Sequence, residues 1–113
     1  MKTLDDLSIY GREFNDSCVN WMKDAKYNLI YLRVMQCSYN EILRKRGYVF
    51  LRDIYEKLGI PVTKESVVVG WRYDANDMSI DNFIDFGLDE HDDMNEPNIM
   101  LDFNVDGIIY DKI

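Results

Sequence analysis

Apolar residues recur at three- and four-residue steps through the first half of this chain and at two-residue steps through much of the second. The first period is that of a helix with one buried face, and the second that of a strand with one. The strongest helical stretch runs from about Ala25 to Arg46, with Leu29, Leu32, Met35, Tyr39, Ile42 and Leu43 on one face. Tyr31, Val34 and Cys37 widen that face, so burial on more than one side is expected. Asp24 is placed to cap the first turn, and Arg44, Lys45 and Arg46 sit where the helix dipole is negative. Gly47 then ends the helix. A second helix is predicted from about Val49 to Leu58, with Phe50, Leu51, Ile54, Tyr55 and Leu58 as its buried stripe, stopped by Gly59-Ile60-Pro61. Leu4, Leu7, Phe14, Cys18 and Trp21 suggest a further helix before these two, interrupted by Gly11 and Asn15-Asp16-Ser17.

From Val67 the alternation predicts strands at Val67–Tyr73, Phe83–Leu88, Ile99–Val105 and Ile108–Ile113. Gly70, inside the first of these, marks a bulge or a close backbone approach. Asp106-Gly107 between alternating apolar residues predicts a tight hairpin that pairs Val105 with Ile108. The hexapeptides starting at Ile84 and Leu101 share the pattern apolar-Asp-Phe-x-apolar-Asp, which directs apolar side chains one way and acids the other. The expected fold class is α+β: two or three N-terminal helices packed on a C-terminal antiparallel sheet of three to four strands. At 113 residues and 47% hydrophobic, the chain suits one domain, helical over about 1–64 and sheet over about 65–113.

Charge follows the same division. Residues 1–64 carry a net +3, and residues 65–113 carry thirteen acids against Arg72 and Lys112, a net −11. Such a half repels nucleic acid and attracts basic surfaces or cations. Asp85, Asp89, Asp102 and Asp106 are the candidate acidic interaction face, and Trp71 and Tyr73 have the composition of an interface anchor. No apolar run has the length of a membrane span and no secretory leader is evident, so a cytoplasmic protein with reduced thiols is expected. Cys18 and Cys37 fall on predicted apolar faces as small core residues.

Motifs of catalysis are sparse. Asp102–Gly107 matches the first half of a calcium loop, but its twelfth position is Ile113 rather than a bidentate Glu, and no helix follows. His91, among Asp89, Glu90, Asp92 and Asp93, is best read as a surface histidine. Arg44-Lys45-Arg46 with Arg52 and Lys57, near Tyr48 and Tyr55, has the makings of a basic patch that helix-end complementarity already explains. No cofactor, catalytic residue or metal ligand set is assigned, and neither direct nucleic-acid binding nor membrane insertion is expected.

The blocks Arg46–Leu51, Leu58–Pro61, Val69-Gly70-Trp71, Asp81–Gly87 and Leu101–Gly107, in this order and spacing, resemble an uncharacterised family of bacteriophage and prophage proteins. The likeness runs from about Phe14 to Lys112, and it implies an origin but no catalytic residues. Together with the charge it leads to the expectation of a non-enzymatic accessory protein. Its acidic surface would bind a host protein, for example to inhibit host defence. The alternatives are a phage structural or assembly component, a metal-dependent hydrolase and a small-ligand-binding protein.

Overall fold

The computed structural model describes residues 8–88 and 95–113. Among them it has three helices and two small antiparallel sheets, of two and three strands, so the α+β class predicted from the sequence is the observed one.

Helix α1, Ala25–Arg46, forms where the spacing places it. Asp24 is extended, and its carboxylate accepts the Tyr27 N–H at 3.1 Å, satisfying one of the first-turn donors that have no partner within the helix. At the other end Gly47 takes φ 91° and donates its N–H to the Leu43 carbonyl. The chain does not return directly as a second helix. Tyr48–Phe50, extended by aromatic and β-branched preference, is strand β2, and helix α2 begins only at Leu51 and runs to Leu58. Its Leu51, Ile54, Tyr55 and Leu58 are buried, the stripe the sequence predicts without Phe50. Gly59 at φ 77° closes it, and Pro61 follows two residues later.

Helix α3, Lys64–Val68, lies partly where a strand was expected. Thr63 and Ser66 form a reciprocal capping box: the Ser66 N–H reaches the Thr63 hydroxyl and the Thr63 N–H reaches the Ser66 hydroxyl. The expected strand therefore shortens to β3, Val69–Arg72. Strand β3 is the centre of the three-stranded sheet, between β2 and β5, Gly107–Ile108. A Cβ on Gly70 would fall on the Val49 carbonyl oxygen and within 2.8 Å of Phe50 Cα, so the close approach read from this glycine is what the two backbones make.

The predicted strands Ile99–Val105 and Ile108–Ile113 also shorten, to Ile99–Leu101 and Gly107–Ile108, and three further expectations give way. The suggested helix around Phe14 is replaced by strand β1, Arg12–Phe14, antiparallel to β4, Ile99–Leu101, with Phe14 opposite Ile99. The Asp106-Gly107 hairpin does not form. A two-residue turn of this kind needs positive φ at both positions, and only Gly107, at φ 124°, has it. The chain instead runs on from β4 to β5 and pairs with β3, Ile108 opposite Val69. Phe83–Leu88 carries no regular strand: the N–H groups of residues 84–87 are taken by side-chain oxygens, which among the described residues leaves only the Asp85 and Phe86 carbonyls bonded to a neighbouring backbone.

One core joins both halves: Phe14 from β1, Leu32 and Leu43 from α1, Ile54 and Tyr55 from α2, Trp71 from β3, and Ile84, Phe86, Leu101 and Phe103 from the C-terminal segments. Each such side chain contributes roughly 1.5–3 kcal/mol of transfer free energy. Phe103 meets Tyr55, Trp71 and Phe86 edge-to-face, with ring centroids 5.2–6.5 Å apart.

Candidate interaction surfaces

The two hexapeptides that echo each other in sequence lie side by side. The Asp102 N–H donates to the Phe86 carbonyl at 3.0 Å and the Asn104 N–H to that of Asp85 at 3.3 Å. Ile84, Phe86, Leu88, Leu101 and Phe103 are buried, while Asp85, Asp102 and Asp106 are half-buried. Alternation thus separates apolar from acidic side chains without a regular ladder.

The carboxylates are held in fixed positions. Asp85 accepts the Gly87 N–H at 2.8 Å, Asp102 accepts the Ser8 hydroxyl at 2.7 Å, and Asp106 accepts the Arg72 N–H at 2.9 Å. Asp106 also accepts from the Asp81 backbone, yet its burial pushes the carboxyl above its ordinary range. Asp77 moves the other way, down to about 2, drawn by the Ser79 hydroxyl and amide and then by Arg72, whose guanidinium lies 2.9 Å away. Asp89 and His91 lie outside the described residues. Among the described residues no three His, Cys, Asp or Glu side chains are grouped so as to hold a metal ion.

The aromatic pair separates. Trp71 is 0% exposed and belongs to the core, which rules it out as a surface anchor of the folded chain. Tyr73 is 39% exposed at the end of β3. It borders a shallow groove of about 430 Å³ with Arg46, Tyr48, Arg72 and Lys112. The basic patch is also partly dismantled: Tyr55 is buried and its hydroxyl donates to the Tyr10 carbonyl at 2.6 Å. Arg46 and Arg52 instead lie over the rings of Tyr48 and Phe50 on β2, and both approach Asp53. Of the cysteines, Cys18 is half-buried, with its thiol pKa raised by burial. Cys37 is exposed, contrary to its expected place in the core, because it faces away from the helix face that packs.

A set of amide side chains, which alternation does not reveal, organises the acidic region. The Asn104 side chain accepts the Asp85 N–H at 2.7 Å and the Trp71 indole N–H at 2.9 Å. It donates to the Phe83 carbonyl and to the Asp81 carboxylate. From α1, Asn40 both accepts from and donates to the Ile84 backbone, at 2.7 and 2.9 Å, and Gln36 accepts the Phe86 N–H at 2.8 Å. Asn28, fully buried, donates to the carbonyls of Met22 and Pro97. These bonds supply the acceptors that a regular ladder would offer to the N–H groups of residues 84–86, beside the two backbone bonds from Asp102 and Asn104. Their sequence signal is an amide at 28, 36 and 40, spaced by multiples of four in phase with Leu32 on a buried face.

A family model described as a family of unknown function, DUF6353, matches residues 3–113, nearly the whole chain. The chain belongs to this family. No curated protein and no solved structure matches it. Membership brings neither an activity nor a phage origin. No helix among the described residues is long and apolar enough to cross a membrane.

Proposed function

We propose that this chain is a non-enzymatic protein-binding module that engages a basic surface of its partner through the acidic region built from residues 73–111. One observation carries the reading: that stretch contains twelve Asp and Glu and no Lys or Arg. Asp85, Asp102 and Asp106 stand half-exposed on segments that bury Ile84, Phe86, Leu101 and Phe103. Carboxylates already oriented by hydrogen bonds lose little freedom on binding, and a field of one sign speeds encounter with a basic partner. The array can stand in for the phosphates of a nucleic acid on a nucleic-acid-binding protein. The finer reading is a phage or prophage protein directed at a host protein, including a defence protein, and it rests on the resemblance of the quoted blocks.

Affinity capture with the tagged full chain tests this, run beside an Asp74→Asn, Asp81→Asn, Asp85→Asn, Asp102→Asn variant. Asn preserves an acceptor oxygen while removing the charge. The expected result is a captured basic protein whose affinity falls at least tenfold in the variant, about 1.4 kcal/mol or more. Its binding to the wild-type chain should weaken steeply with salt. Equal retention by wild type and variant would reject the reading.

A further inference from the structure

Helix α1 has a second apolar stripe on the side opposite its buried one. Tyr27, Ile30 and Val34 are 40%, 53% and 52% exposed, and Cys37 is exposed as well. Residues 27, 30, 34 and 37 follow three-four-three spacing, the seam of a coiled coil, over about 15 Å of helix. Among the described residues Ile30, Val34 and Cys37 have no place in the core, and Tyr27 touches it only by stacking on Tyr31, since α1 buries Ala25, Asn28, Leu32 and Leu43 on the other side. Beside the seam, Lys26, Arg33 and Arg44 line one edge, all exposed. The helix carries five cations and one acid, Glu41, in a chain whose net charge is −8.

We propose that this outer face of α1 is a second docking site, which takes an amphipathic helix of a partner protein with apolar residues at seam spacing and carboxylates along its edge. The seam spacing specifies a helix as occupant. The cationic edge specifies the charge that helix must bring. A second copy of this chain fits poorly. An antiparallel pair that stacks the apolar residues sets Arg33 beside its own counterpart, and a parallel pair aligns Glu41 with Glu41 in the seam while bringing no acid to the basic edge. An anionic bilayer would meet the same cations, but the acids of residues 73–111 oppose its approach. This site is independent of the acidic region and has the opposite electrostatic preference.

A display library tests the assignment, with helical peptides of fixed Leu and Ile at seam positions and Glu, Gln or Lys at the flanking ones. It is selected on the full chain and counter-selected on an Ile30→Asp, Val34→Asp variant. Both replaced side chains are exposed, so the variant's circular dichroism is expected to match wild type. The recovered peptides should be rich in Glu at flanking positions and bind the variant at least tenfold more weakly. An Arg33→Glu, Lys26→Glu chain should shift the selected flanks from Glu toward Lys. Recovery of no peptide, flanks without a Glu bias, or equal binding to the Asp variant would overturn the proposal. So would sedimentation showing a dimer that the Asp variant abolishes, or cosedimentation with phosphatidylserine vesicles that it abolishes.

Discussion

Residues 25–58 and residues 73–106 both bury apolar side chains against the same core, but they satisfy their backbone polar groups differently. The helices of the first stretch do so locally: α1 and α2 bond within themselves, Asp24 caps one end, and glycines at positive φ close both, while the short β2 between them pairs at a distance, with β3. The second draws on distant side chains, with Asn104, Asn40 and Gln36 bonding the backbone of residues 83–86. A helix cap acts on its own turn, whereas a long-range amide acts only once the chain is folded around it. The first region is therefore robust to single changes, and the second depends on a few residues.

The largest effect should follow Asn104→Ala. It strands the Asp85 N–H and removes one of the two acceptors of the Trp71 indole, at a cost of about 2 kcal/mol if each part-buried group contributes roughly 1. Denaturant unfolding measures the loss. Hydrogen exchange should show residues 83–88 and 101–106 losing protection well before α1, and uniform loss would break the contrast between the regions. Asp24→Ala should cost about 1 kcal/mol, with faster exchange confined to the first turn of α1. Loss of protection spreading into residues 83–98 would mean that α1 and that segment unfold as one unit.

The smallest effect concerns pH. Asp106 has a raised carboxyl pKa, so its contribution to stability is complete below the ordinary Asp range and is lost as pH rises through the folded value. Asp106→Asn removes this dependence, and the stability of wild type relative to the variant should fall as pH rises across that window. Asp77, lowered to about 2, has the opposite sign: its contribution is present above the ordinary range and lost as pH falls toward 2. Parallel melting curves for Asp106→Asn and wild type at every pH would contradict the buried setting assigned to Asp106.

Several sites show what each level of description supplies. Asp24 and Gly47 bound α1 at the residues the sequence marks, because capping is decided within one turn. Gly70 announced a close approach, and the Val49 carbonyl is what it approaches. Asp106-Gly107 had the composition of a hairpin turn and became a crossing between two sheets. The apolar alternation around it is equally compatible with pairing to β3, which takes Gly107 and Ile108 opposite Gly70 and Val69. Thr63-Lys64-Glu65-Ser66 contained its own helix start, hidden by the β-branched run that follows. Asn28, Gln36 and Asn40 were missed by reading apolar periodicity alone, although they fall in phase with Leu32, and their long-range partners lie 44 to 69 residues away.

By itself the sequence determined the α1 boundaries, the buried stripe of α2, the separation of Phe86 and Phe103 from the neighbouring aspartates, and the gathering of negative charge in one half. Each of these follows from interactions within a few residues or from side-chain periodicity. Tertiary structure alone decided which strands pair, that Trp71 is interior, that Asp106 serves the backbone of β3, and that one apolar stripe of α1 is left outside. Those outcomes depend on which distant segments compete for the same hydrogen-bonding edge and the same core volume, and no local pattern encodes that competition.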